Sequence, residues 1–107
     1  MTEEQFEERC ERALRAIENA VDAGGLDIEA SRRGPVLELE FEDGSKIIVN
    51  GNAPVQQVWV AARSGGFHFR DADGRWVDTR SGEELFESLS RLASQQAGCP
   101  VAFKSAA

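Results

Sequence analysis

The sequence predicts an α+β fold: a two-layer α-β sandwich with N- and C-terminal helices packed on one face of an antiparallel sheet of about six strands. Three observations carry this expectation. An apolar stripe of helical period lies near each end of the chain. The middle is a series of short runs of alternating polarity. A turn signal follows almost every run. With 107 residues, the chain forms a single domain over 1–107.

The first helix opens on Thr2-Glu3-Glu4-Gln5, which fits a capping box with Thr2 as N-cap. Phe6, Cys10, Ala13, Leu14, Ile17, Ala20 and Val21 form one stripe, and Gly24-Gly25 ends it. Leu26 to Ser31 reads as a first strand and Arg32-Arg33-Gly34-Pro35 as a turn. Val36 to Phe41 alternates, with Leu37, Leu39 and Phe41 on one face and Glu38, Glu40 and Glu42 on the other. That pattern fits a sheet with one buried and one wet face. Asp43-Gly44 is a hairpin signal, and Lys46 to Asn50 returns. Pro54 precedes a strand over Gln56 to Ala62. Gly65-Gly66 opens the next, Phe67 to Arg70, and Asp73-Gly74 turns into Arg75 to Asp78. Ser81-Gly82-Glu83-Glu84 fits a second capping box, starting a helix with Leu85, Phe86, Leu89, Leu92 and Ala93 on one face. Gly98 stops it, and Val101 and Phe103 are expected to cover an edge of the core.

Charge is unevenly distributed. The net charge is −7. Residues 1–29 hold nine acids and three bases, whereas the rest of the chain comes to −1. Such a field draws cations and repels phosphate backbones, so duplex nucleic acid is a poor partner. No run approaches the ~20 apolar residues of a membrane span. The acidic N-terminus resembles neither a secretory signal nor a transit peptide, and a bacterial cytoplasmic location is expected. Cys10 and Cys99 stand far apart in no CxxC pattern and are expected as free thiols. Cys10 falls on the apolar side of the first helix.

On a helical wheel Glu7, Glu11, Glu18 and Asp22 share about one quadrant, with Glu4 alongside. Asp27 and Glu29 follow two apart and point the same way. Spread carboxylates suit hard cations and bind them weakly, partly hydrated and with little selectivity. The absence of a Cys/His cluster argues against a closed zinc or copper site. The plainer alternative is a solvated face that keeps the protein soluble. The second helix is equally solvated yet lacks such a stripe. Its Glu83, Glu84 and Glu87 gather in the first turn, where they complement the helix dipole.

In Gln57-Val58-Trp59-Val60-Ala61 the period of two puts Gln57, Trp59 and Ala61 on one face. The valines suit the packed side, which leaves Trp59 on the wet side beside Gln57. An exposed indole among polar neighbours fits an interface anchor; the alternative is a ring shielded by adjoining strands. Asn50 fits either a turn cap or a partner contact. His68 reads as a surface residue and Trp76 as core.

The stretch Asp43-Gly44-Ser45-Lys46-Ile47-Ile48-Val49-Asn50, then Pro54, then Gln57-Val58-Trp59-Val60-Ala61, resembles the frataxin family in its bacterial branch. So do Gly65-Gly66-Phe67-His68-Phe69, Trp76 and Ser81-Gly82-Glu83. The likeness runs along essentially the whole chain and is weakest near residues 19–26. It implies the same helix–sheet–helix sandwich. It further implies weak binding of ferrous and ferric iron on the first helix and first strand, at Glu7, Glu11, Glu18, Asp22, Asp27 and Glu29. Contact with a cysteine desulfurase and an iron–sulfur scaffold protein is implied too, with Asn50, Gln57 and Trp59 as partner residues, as is an iron-responsive role in cluster assembly. The chain departs from the family where the first helix ends: Asp22-Ala23-Gly24-Gly25-Leu26 lacks a dense acidic run, and Asn19 follows Glu18. The ridge is thinned.

Three function classes follow. The first is a non-enzymatic iron-binding regulator or adaptor of cluster assembly, monomeric or forming iron-driven oligomers. The second is a ferroxidase-type iron-handling enzyme or an iron-storage and detoxification protein. One His, no Tyr and no evident paired carboxylates leave little resembling a preorganised reaction site. The third is a nucleic-acid reader that stacks bases on Trp59, which a single aromatic and the acidic charge disfavour.

Overall fold

The computed structural model describes residues 1–24 and 27–104. Helix α1 (Glu3–Ala23) is followed by strands β1 (Ile28–Arg33), β2 (Val36–Phe41), β3 (Lys46–Asn52), β4 (Gln57–Ala62), β5 (Gly65–Ala72) and β6 (Arg75–Asp78), and by helix α2 (Leu85–Ala97). A 3-10 turn over Ala53–Val55 links β3 to β4. The six strands pair antiparallel in chain order, as a meander. Hairpin connections make that order the simplest one available.

Helix α1 starts where its capping box places it. The Thr2 hydroxyl accepts from Gln5 N at 3.1 Å, and the Gln5 amide oxygen accepts from Thr2 N at 2.9 Å. Its buried stripe is Phe6, Cys10, Ala13, Leu14, Ile17 and Val21. Leu37, Leu39, Phe41, Ile47, Val49, Val58, Val60 and Phe69 rise from the packed face of the sheet, and α2 adds Leu85, Phe86, Leu89, Leu92 and Ala93. Trp76 joins this core, its ring meeting Phe6 edge-on with centroids 5.8 Å apart. Val101 and Phe103 are buried as well. Two serines of α2 hold the tail that carries them: Val101 N donates to Ser94 Oγ and Phe103 N to Ser90 Oγ, both at 2.8 Å.

Several boundaries differ from the sequence expectation. Arg32 and Arg33 belong to β1, not to the turn, which is Gly34-Pro35 alone. The expected start of that strand at Leu26 falls outside the described residues, as does Gly25. Gln56 precedes β4 in a left-handed conformation. Strand β5 takes in Gly65 and Gly66 and runs to Ala72. The second capping box does not form. Glu84 is the N-cap of α2, and its carboxylate accepts from Phe86 N and Glu87 N. The amides of Arg80 and Ser81 donate instead to the buried Asp78 carboxylate at 2.7 and 3.1 Å. Asp78 thus draws the Ser81 segment into a turn and delays the helix by three residues. Gly98 ends α2 at φ 73°, the left-handed cap that glycine adopts without strain.

Candidate functional site

The ridge lies along one flank of α1 and continues onto the sheet edge. Glu7 and Asp22 are exposed, while Glu11 and Glu18 are half-buried. The reason is Arg32. On β1, Ile28, Ala30 and Arg32 share the helix-facing side by strand period, so the Arg32 side chain meets α1. Arg32 Nη2 donates to Glu11 Oε2, and Arg32 Nη1 stands 3.4 Å from Glu18 Oε1. Arg15 adds a second guanidinium to Glu11 at 3.2 Å. The hydrogen bond from Arg32 holds the Glu11 carboxyl below its ordinary pKa, and the same bond raises that of Arg32. Arg32 Nη1 is buried and has no hydrogen-bond partner among the described residues.

Asp27 and Glu29 are exposed and lie on the other side of β1 from Arg32. Glu29 is directly opposite Glu40 of β2. Asp27, Glu29, Glu40 and Glu42 line one shallow depression of about 430 Å³ over Ile28 and Phe41. Like charges facing each other across a ladder destabilise it, and a cation would relieve that. By alternation alone Glu40 and Glu42 are only members of a wet face. Pairing β1 with β2 in antiparallel register would have brought them to the ridge. Among the described residues no three His, Cys, Asp or Glu side chains converge as a ready metal cage. An ion held here would therefore keep much of its water.

The residues expected to contact a partner do come together. Asn50 faces Trp59 across β3 and β4, and Trp59 faces His68 across β4 and β5. Trp59 stacks on His68 with centroids 4.6 Å apart and 15° between the planes. Its indole N–H donates to the Gln57 amide oxygen at 2.8 Å. The indole is on the open sheet face as expected, but half-buried and fixed by its neighbours. Asn50 sits inside β3 rather than at a turn, which removes its capping alternative.

Away from these groups, Cys99 is exposed and Cys10 buried. Burial pushes the Cys10 thiol up to about 11, so it is a weak nucleophile at neutral pH. Cys10 packs against Gly51, where any Cβ would collide with its sulfur. Asp43 receives Ser45 N at 2.9 Å and Arg63 Nη2 at 2.6 Å, which hold its carboxyl well below the usual range.

Residues 1–99 match the frataxin-like domain family model. The chain belongs to the frataxin family. It is 55% identical to the iron-sulfur cluster assembly protein CyaY of Paraburkholderia phytofirmans, over 97% of this chain and 99% of that protein. It is 63% identical to the CyaY of Cupriavidus pinatubonensis, over 81% and 78% of the two chains. The solved frataxin of Psychromonas ingrahamii superposes with a TM-score of 0.92 at 33% identity, covering 97% of this chain and 99% of that one. A trimeric frataxin of Saccharomyces cerevisiae shares the fold at a TM-score of 0.73 and 20% identity, over 84% and 86% of the two chains.

Proposed function

We infer that this protein is a non-enzymatic iron-binding regulator or adaptor of iron–sulfur cluster assembly. The two relatives at 55% and 63% identity are named for that process. It takes ferrous and ferric iron weakly on the carboxylate ridge and docks on the cysteine desulfurase–scaffold complex. The observation that carries this reading is the concentration of carboxylates along one flank: Glu7, Glu11, Glu18 and Asp22 on α1, then Asp27 and Glu29, joined by Glu40 and Glu42. Oxygen donors on an exposed surface suit labile, hydrated iron that must be given up again. Iron is cargo here, and no side chain needs to alter its oxidation state. The acidic flank suits a basic surface of the desulfurase, and the Asn50, Gln57 and Trp59 patch offers a second contact.

Anaerobic titration with ferrous iron, followed by NMR, tests the iron site. Ridge residues should respond ahead of His68 and Cys99. Earliest responses at His68 or Cys99 would refute the ridge. Reversing Glu18 and Asp22 to Lys should weaken binding while the fold survives, because both side chains reach solvent. Capture of the desulfurase and scaffold from host lysate, compared with and without ferrous iron, tests the docking.

A further inference from the structure

The carboxylates of the ridge are not equivalent. Glu11 and Glu18 are matched by the two guanidinium groups of Arg15 and Arg32, so this stretch carries no formal net charge. Asp22, Asp27, Glu29, Glu40 and Glu42 make no ion pair among the described residues. The two cations also differ in kind. The Arg15 side chain is 70% exposed, whereas that of Arg32 is 21% exposed and wedged between strand and helix. A guanidinium stays protonated across the whole working range, so pH does not remove it.

We propose that Arg32 is a tethered counter-cation that divides the ridge: it fills the space between Glu11 and Glu18, so a metal ion reaches that pair only by displacing it. Loading therefore begins at Asp22, Asp27 and Glu29 and reaches Glu11 and Glu18 later. Arg32 is a positioning residue for the iron site inferred above and rests on that reading. The device favours highly charged ions, since a divalent or trivalent cation offers the two carboxylates more than the single charge it must replace.

The test follows side-chain carboxyl ¹³C shifts and backbone amide shifts during titration with Ca²⁺, a diamagnetic hard cation. It compares the unaltered protein with Arg32→Gln and Arg32→Lys. In the unaltered protein Asp22, Asp27 and Glu29 should respond at lower Ca²⁺ than Glu11 and Glu18. Arg32→Gln should lower the Ca²⁺ needed at Glu11 and Glu18 by about thirtyfold, the Boltzmann factor for one positive charge removed from ~4 Å of a divalent ion in water. Arg32→Lys keeps the charge and should keep the lag, which a merely structural role would not predict. Glu11 and Glu18 responding first in the unaltered protein would overturn the proposal, as would Gln and Lys variants with the same lag. If Arg32→Gln fails to fold, the response order in the unaltered protein and in Arg32→Lys decides. Should His68 or Cys99 respond before any ridge residue, the ridge itself falls, an outcome distinct from ridge binding without a lag.

Discussion

Trp59 and Trp76 sit on opposite sides of one sheet, and their environments assign them opposite roles. Trp76 is 6% exposed and locked edge-on against Phe6. Its replacement by alanine leaves a cavity and should cost about 3–5 kcal/mol. Trp59 supports no core layer; it stacks on His68 and bonds to Gln57. Trp59→Ala should cost only about 1–2 kcal/mol, from one stacked pair and one partly exposed hydrogen bond. The same change should weaken binding to the desulfurase–scaffold assembly at least ~tenfold. Thermal melts and a binding assay on both variants check this, and equal losses of stability would refute the face assignment. The period of two made Trp59 legible in the sequence, and the placing of Trp76 on a strand due to pack against a helix made its burial legible. Arg32 was not legible, because Gly34-Pro35 signals a turn without showing where the strand before it ends. Its contact with Glu11 and Glu18 spans 21 and 14 residues of chain, beyond any local pattern. Gly51 was missed for the same reason: only the packing of α1 on β3 shows that Cys10 leaves no room for a Cβ.

The elements themselves followed local rules wherever no distant group competed. Helix α1 took its capping box because, among the described residues, no other side chain bonds to Thr2 or Gln5. Helix α2 did not, because Asp78 claims the amides that an earlier helix start would need free, and an isolated bridge between Val77 and Glu84 pins the new start. The C-terminal tail shows how α2 extends its influence. Ser90 Oγ both accepts from Phe103 N and donates to Phe86 O at 2.7 Å. Ser94 Oγ accepts from Val101 N and donates to Val101 O at 3.1 Å. These two hydroxyls replace the strand partner that the tail lacks. Alanine at either site strands a partly buried amide, so each change should cost about 1–3 kcal/mol. Hydrogen exchange locates the loss. The amides of Val101 and Phe103 should lose protection in the double variant, while those of β3 and β4 keep theirs relative to the global stability. Uniform loss across the sheet would show that the tail is not a separable unit.

At the scale of the whole molecule, the acidic field acts on two equilibria with opposite signs. Residues 1–29 carry −6 of the net charge of −7, and the fold adds Glu40 and Glu42 to the same edge. Charges of one sign confined to one flank repel one another, which opposes compaction. Salt screens that repulsion, with a decay length of ~10 Å at 0.1 M and ~3 Å at 1 M. The ion pairs that salt also weakens are mostly exposed and contribute little each. Rising salt should therefore raise the melting temperature. Association with a basic partner uses the same field as attraction, so the same salt should weaken it, chiefly by slowing encounter. Reversing Glu18 and Asp22 to Lys should flatten both dependences together, because it cuts the charge of residues 1–29 from −6 to −2. Melting curves and association rates measured across one salt series, on the unaltered protein and this variant, provide the check. A melting temperature that falls with salt would mean that ion pairs such as Arg32 with Glu11 outweigh the repulsion. A partner association indifferent to salt would shift the docking contact from the ridge to the Asn50, Gln57 and Trp59 face.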